Sequence, residues 1–206
     1  MIYVFGDSFS ENYKNYREGF DRSSYIWKYI EYLGRDMAMY TDLLSEYFNQ
    51  PIDNYSIGGI SNEHIFMLFM ENYSKIKEDD VIVFGWTDVT RISVPLNLYG
   101  SYIWRSNIYP NDFLSEKSCD EIRVMRNHEL YKKKLLGTIN FIDEILPNNT
   151  TIHWTWSPIP NDYPLTIKKE TNGFIDDSHY SEEGHRVLFN KIKEQLEVSK
   201  HVKINL

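Results

Sequence analysis

The sequence predicts an α/β protein built on a parallel sheet with crossover helices. Its 206 residues fit one domain with a single sizeable core. Short apolar runs rich in β-branched and aromatic residues stop abruptly at turn residues. Between those runs lie stretches whose apolar residues recur at helical spacing. Strands and helices that alternate in this way close a parallel sheet, because each parallel pair needs a crossover.

Four strands are expected. The first is Ile2 to Phe5, stopped by Gly6-Asp7-Ser8. A weaker one, Ile52 to Ser56, ends at Gly58-Gly59, and a clear one, Val81 to Phe84, ends at Gly85. The fourth, Thr151 to Trp156, ends at Ser157-Pro158. Helices are expected over Tyr25 to Leu33 and over Thr41 to Phe48, with Thr41 as N-cap. Ser61 and Asn62 are placed to cap Glu63 to Ile76, where Ile65, Leu68, Phe69 and Tyr73 share a stripe. Glu129 to Leu146 repeats the pattern through Leu135, Leu136, Ile139, Ile142 and Ile145. A last helix opens at Ser181-Glu182 and runs through Val187, Leu188, Ile192 and Leu196. One domain over residues 1–206 is expected, with an irregular aromatic-rich insertion at about residues 94–128. A long insertion of this kind after the third strand is more often functional than accidental.

Composition excludes several classes. The net charge of -8 and the lack of a basic block argue against nucleic-acid binding, which needs clustered Lys and Arg. The one basic run, Lys132-Lys133-Lys134, reads as a solvated helix face. No apolar run approaches eighteen residues, so no membrane span is expected. Cys119 is the only cysteine, which rules out an intrachain disulfide. No secretory signal is expected, because Met1-Ile2-Tyr3-Val4-Phe5 runs directly into Gly6-Asp7-Ser8. The expected setting is the cytoplasm or another delivery route such as a phage particle. Sixteen Tyr and five Trp suit amphipathic surfaces such as carbohydrate-facing clefts, and suit equally a plain compositional bias.

Polar residues that follow strands of an open parallel sheet converge at the carboxyl edge. Here that edge gathers Ser8, the glycines after the second strand, Thr87 and Asp88 after the third, and Asp176-Asp177-Ser178-His179 before the last helix. These parts suit acyl transfer. A serine hydroxyl becomes nucleophilic when a His takes its proton, and a carboxylate holds that His in one tautomer. Ser8 is the expected nucleophile, His179 the base and Asp176 its orienter, with Asp177 a neighbour facing solvent or capping the helix. The amides of Ser8 and Gly59 are placed to donate to a developing oxyanion.

Phe5-Gly6-Asp7-Ser8-Phe9-Ser10 resembles the first sequence block of the SGNH (GDSL) hydrolases. Asn54-Tyr55-Ser56-Ile57-Gly58-Gly59 is similar to their second block, and Asp176-Asp177-Ser178-His179 with Glu183-Gly184-His185 to their last. The blocks keep the family order over residues 2–188. The resemblance implies a flavodoxin-like three-layer α/β/α sandwich and serine ester hydrolysis with no metal and no cofactor. The third block departs from the pattern. Gly85-Trp86-Thr87-Asp88 carries Thr87 where the family has Asn, so the third oxyanion donor is expected from Thr87 or from a neighbour such as Asn62.

The expected substrate is a small-molecule or glycan ester, foremost a carbohydrate O-acetyl ester. A lipid or lysophospholipid ester is the first alternative. A carbohydrate-binding module weakened in catalysis by the Asn-to-Thr change is the second. Trp86, Arg91 and Trp104, with Asn62, are candidate substrate contacts. Arg91 has two readings, a partner for a substrate carboxylate or for Asp88. Asp7 is expected to shape its turn, while His64, His153 and His185 read as ordinary helix or strand residues rather than metal ligands.

Overall fold

The computed structural model describes residues 1–15, 25–89, 91, 93–98, 101–106, 128–156, 165–166 and 180–204. The protein is of the α/β class. Its strands lie in the order β2-β1-β3-β6-β7, where β1 is Ile2–Gly6, β2 Ile52–Asn54, β3 Val81–Trp86, β6 Thr150–Thr155 and β7 Leu165–Thr166. A separate antiparallel pair, β4 (Ser93–Leu98) and β5 (Ser101–Ser106), forms a second sheet. With that pair set aside the strand order becomes 2-1-3-4-5, the order of flavodoxin-like doubly wound sheets.

Pairing along the main sheet is parallel. β3 and β6 run in register from Val81 opposite Thr150 to Trp86 opposite Thr155, and β6 continues onto β7 at Trp154 and Leu165. Tyr55 N–H donates to Val4 O (2.8 Å) and Ile57 N–H to Gly6 O (3.0 Å), so both chains climb together there too. β1 and β3 are buried along their whole length, as central parallel strands covered on both faces must be. This is why their sequences read as unbroken apolar runs.

The chain divides into two compact units whose segments alternate in sequence. The larger comprises Tyr3–Glu11 and Asn54–Ile167. It holds most of the sheet with α3 (Asn62–Asn72) and α4 (His128–Ile145). Phe5, Phe84, Trp86, Phe69, Ile139 and Ile142 are buried in its core. Phe84 stacks on Trp86 and on His153 at centroid distances of 5.2 and 4.9 Å. Trp86 Nε1 donates to His153 Nδ1 at 3.0 Å. An indole N–H only donates, so Nδ1 is the acceptor and the ring proton sits on Nε2, which faces Asp143 Oδ1 at 3.1 Å. Burial pushes the His153 pKa down, which keeps this tautomer neutral.

The smaller unit comprises Met1–Ile2, Asn12–Asp53 and Lys168–Leu206. It carries α1 (Tyr25–Leu33), α2 (Tyr40–Phe48) and α5 (Glu182–Ile204). Tyr13, Tyr29, Met37 and Met39 form its small apolar cluster. Helix α2 begins one residue before its expected cap. Met39 is the N-cap, its N–H donates to Asp42 Oδ2 at 2.9 Å, and Thr41 is buried inside the first turn. In α3 Ser61 is the cap, accepting from His64 N–H at 3.4 Å.

Glu182 opens α5 and ties this unit together. Arg35 grips its carboxylate at two points, both 2.7 Å, while Ala38 N–H (3.0 Å) and Arg186 (3.1 Å) also donate to it. Hydrogen bonding to Arg35 is the main cause that holds the Glu182 pKa down to about 2, from an ordinary 4.5. The unfolded chain therefore takes up this proton first. The stabilisation is fully present above pH 4.5 and is lost as pH falls towards 2. Glu182→Gln is expected to flatten the decline in unfolding free energy across that window, read from urea midpoints at a series of pH values. An unchanged decline rules Glu182 out as a source of acid lability.

Sequence and structure differ most over the expected insertion. Ser93–Leu98 and Ser101–Ser106 form a regular antiparallel pair in place of irregular chain, with Pro95 opposite Trp104. Residues 107–127 lie outside the described residues, as does Cys119. Among the described residues no helix is long and apolar enough to cross a membrane, and no group of His, Cys, Asp and Glu is arranged to hold a metal.

Candidate active site

Ser8 sits in the turn that leaves β1. It is half-buried, whereas Gly6, Asp7, Phe9 and Ser10 around it are buried. The turn is closed by the Asp7 carbonyl, which accepts from Ser10 N–H (2.9 Å) and Glu11 N–H (3.0 Å). Asn54 Nδ2 donates to Ser10 O at 2.8 Å and fastens the turn to the end of β2.

The glycines explain how the strand ends approach. A Cβ at Gly85 would run into Ser10 Oγ and lie 2.8 Å from the Trp154 ring. One at Gly6 would meet Ser10 Oγ at 2.6 Å and Gly85 O at 3.1 Å. The turn after β1 thus rests directly on the end of β3, and only residues without side chains permit it. A Cβ at Gly58 would stand 2.7 Å from Glu11 Oε2 and 3.6 Å from Ser8 Cβ, so the loop after β2 borders Ser8. Gly59 follows in the left-handed region at φ 78°. The expected meeting of Ser8 with the Gly58-Gly59 loop is therefore present.

Thr87 stands just beyond β3 and is fully buried. Asn62 Oδ1 accepts its N–H at 2.8 Å, and Asn62 Nδ2 donates to its carbonyl at 3.1 Å. Asn62 was expected to offer a spare oxyanion donor. It instead holds the Thr87 peptide at both ends, so it shapes the loop after β3. The Thr87 hydroxyl is buried and has no hydrogen-bond partner among the described residues. A buried hydroxyl without a partner is costly.

Two other candidates move. Trp86 was expected to face substrate. Its side chain has no solvent exposure and its N–H is given to His153, so it packs in the core while also lining the apolar cleft beside Asn62. Arg91 was expected to meet a substrate carboxylate or Asp88, and its side chain meets Asp7. Its Nη1 donates to Asp7 Oδ2 at 3.1 Å, and only its backbone N–H reaches Asp88, at the carbonyl (3.0 Å). Trp104 lies in β5 opposite Pro95. Asp176, His179 and Asp177 lie outside the described residues. His185 is buried in the first turn of α5, with Tyr40 and Tyr180 rings 6.1 and 5.7 Å away.

No protein-family model and no curated protein matches this chain. The site must be read from its own residues.

Sequence reasoning missed the surroundings of Asp7. The carboxylate has no exposure, and besides Arg91 it accepts from Trp156 Nε1 (2.9 Å) and from Phe9 N–H (3.1 Å). A signal existed: Trp156 closes the fourth expected strand, so it belongs to the same carboxyl edge as Ser8. An apolar cleft of about 260 Å³ also went unforeseen. Phe66, Met67, Tyr131 and Leu135 line it, Asn62 and Val89 border it, and the Glu63–Lys134 pair (2.9 Å) lies at its side.

Proposed function

We propose that this protein is a serine ester hydrolase of the SGNH type, folded as a three-layer α/β/α sandwich. Ser8 attacks the ester carbonyl while His179 takes its proton, and His179 then gives that proton to the alcohol as the ester C–O bond breaks and the acyl-enzyme forms. The acyl-enzyme is then opened by a water that His179 activates, and Asp176 keeps that imidazole in the required tautomer. The amides of Ser8 and Gly59 and the Thr87 hydroxyl receive the oxyanion. One observation carries the reading. Ser8, half-buried on a tight turn after β1, borders the Gly58-Gly59 loop, and its turn rests on the end of β3 that leads to Thr87. β1 and β3 flank the point where the strand order reverses, the place where open α/β sheets take ligands.

The preferred substrate is an O-acetyl ester on a carbohydrate. A longer acyl chain is the second reading, favoured by the apolar cleft beside Asn62. Fluorophosphonate labelling tests the chemistry. Wild type is expected to be labelled and Ser8→Ala to lose labelling entirely. Absence of labelling in wild type points to a binding module. Acetylated sugars compared with p-nitrophenyl esters of rising chain length then separate the two substrates. Highest kcat/KM on acetyl sugars supports the first reading, and a rise with chain length supports the second.

A further inference from the structure

The geometry points to Arg91 and Trp156 as positioning residues for the nucleophile, acting through the buried carboxylate of Asp7. The inference rests on Ser8 being the nucleophile. Asp7 Oδ1 accepts Phe9 N–H at 3.1 Å, so the carboxylate braces the residue after Ser8 while its own carbonyl braces Ser10 and Glu11. Ser8 is thus held from both sides by one residue. That residue carries a negative charge with no exposure, and a buried carboxylate keeps its place only when its oxygens are matched. The other oxygen, Oδ2, is matched by two donors, Arg91 Nη1 at 3.1 Å and Trp156 Nε1 at 2.9 Å.

These donors support one another. The Arg91 guanidinium lies over the Trp156 ring at 5.3 Å, and the Phe9 ring meets that indole at 5.4 Å. The Arg91 backbone N–H is fixed to Asp88 O, one residue beyond Thr87. Cation, indole and carboxylate therefore join the turn after β1 to the loop after β3 and the end of β6. The turn that aims Ser8 and the loop that bears Thr87 are set by the same ion pair. A misplacement of about 1 Å at a nucleophile lowers rate by up to about 10²-fold, so loss of the clamp is expected in turnover more than in binding.

The test uses Arg91→Gln, Arg91→Lys and Trp156→Phe in the full chain, each with its melting temperature. Arg91→Gln is expected to slow fluorophosphonate labelling by at least about 10-fold. On p-nitrophenyl acetate, a neutral ester, its kcat is expected to fall by the same factor with KM little changed. Arg91→Lys keeps the charge but not the fork and is expected to recover most of the loss; Trp156→Phe falls between. Hydrogen exchange of the peptide spanning residues 7–11 is expected to quicken in Arg91→Gln while β3 peptides stay protected. Wild-type labelling and exchange in Arg91→Gln overturn the clamp. So does a KM increase confined to carboxylate-bearing esters, which makes Arg91 a substrate anchor. If Arg91→Gln does not fold, the lysine and phenylalanine variants decide by the same readings. If wild type is not labelled at all but exchange at residues 7–11 still quickens, the esterase reading falls and the clamp stands.

Discussion

Thr87→Val is expected to lower kcat by roughly 10²–10³ while leaving the fold as stable as before, or more so. The two halves come from the same observation. The Thr87 hydroxyl is buried without a partner among the described residues, so in the resting protein it contributes nothing that a methyl would not. Valine has the same shape and removes a buried polar group, for a gain on the order of 1 kcal/mol. On the proposed mechanism that hydroxyl acquires its first partner, the oxyanion, in the transition state, and valine cannot supply the bond. Activity and stability then move in opposite directions, which a general packing defect cannot produce. Steady-state kinetics beside thermal melts decide it: unchanged kcat with raised stability removes Thr87 from the oxyanion site.

Trp86→Ala is expected to destabilise the protein by about 3–5 kcal/mol, measured by chemical denaturation. Trp86 has no exposure and stacks on Phe84 and, at 5.9 Å, on His153, so its removal opens a cavity among flat rings with little freedom to collapse. It also orphans His153 Nδ1, whose proton is committed to the Asp143 side. Trp86→Phe separates the two losses. It keeps most of the volume and should cost only the missing bond and its unmet acceptor, about 1–2 kcal/mol. Equal losses in the two variants show that packing was not the larger share.

The scaffold was legible because the central strands of a parallel sheet are buried on both faces. Ile2–Gly6 and Val81–Trp86 had to be apolar throughout, and their ends had to be glycine where the turn over β1 meets β3. Ser61 announced α3 as its cap. Thr41 misled because a residue of good capping type lay one turn position inside the helix, while Asp42 did the capping work from position N3. The β4–β5 pair was hidden since Pro95 and Asn97 weaken a strand signal, and only the Tyr99-Gly100 pair between the strands hinted at a hairpin.

Within the site, backbone-driven features were readable and side-chain partnerships were not. Ser8 beside Gly58-Gly59 follows from strands ending at one edge. Which cation meets Asp7 depends on rotamers reaching across three loops, and no spacing encodes that. Arg91 was therefore left between a substrate carboxylate and its sequence neighbour Asp88, while the partner it meets, Asp7, lies 84 positions away. Trp86 ends a strand that is buried on both faces, so no alternation along β3 marked its side chain as buried.

Asp7 takes its two side-chain donors from chain 84 and 149 residues downstream. The contacts that lock the turn presenting Ser8 from outside are therefore made only after most of the chain, although the turn's own residues are among the first made. Until Trp156 has emerged and β6 has joined β3, Asp7 is a carboxylate without its matching donors. On the proposed mechanism, competence at Ser8 is accordingly expected to be a late, non-local event in folding, set by closure of the connection between β3 and β6 more than by the local Gly-Asp-Ser segment.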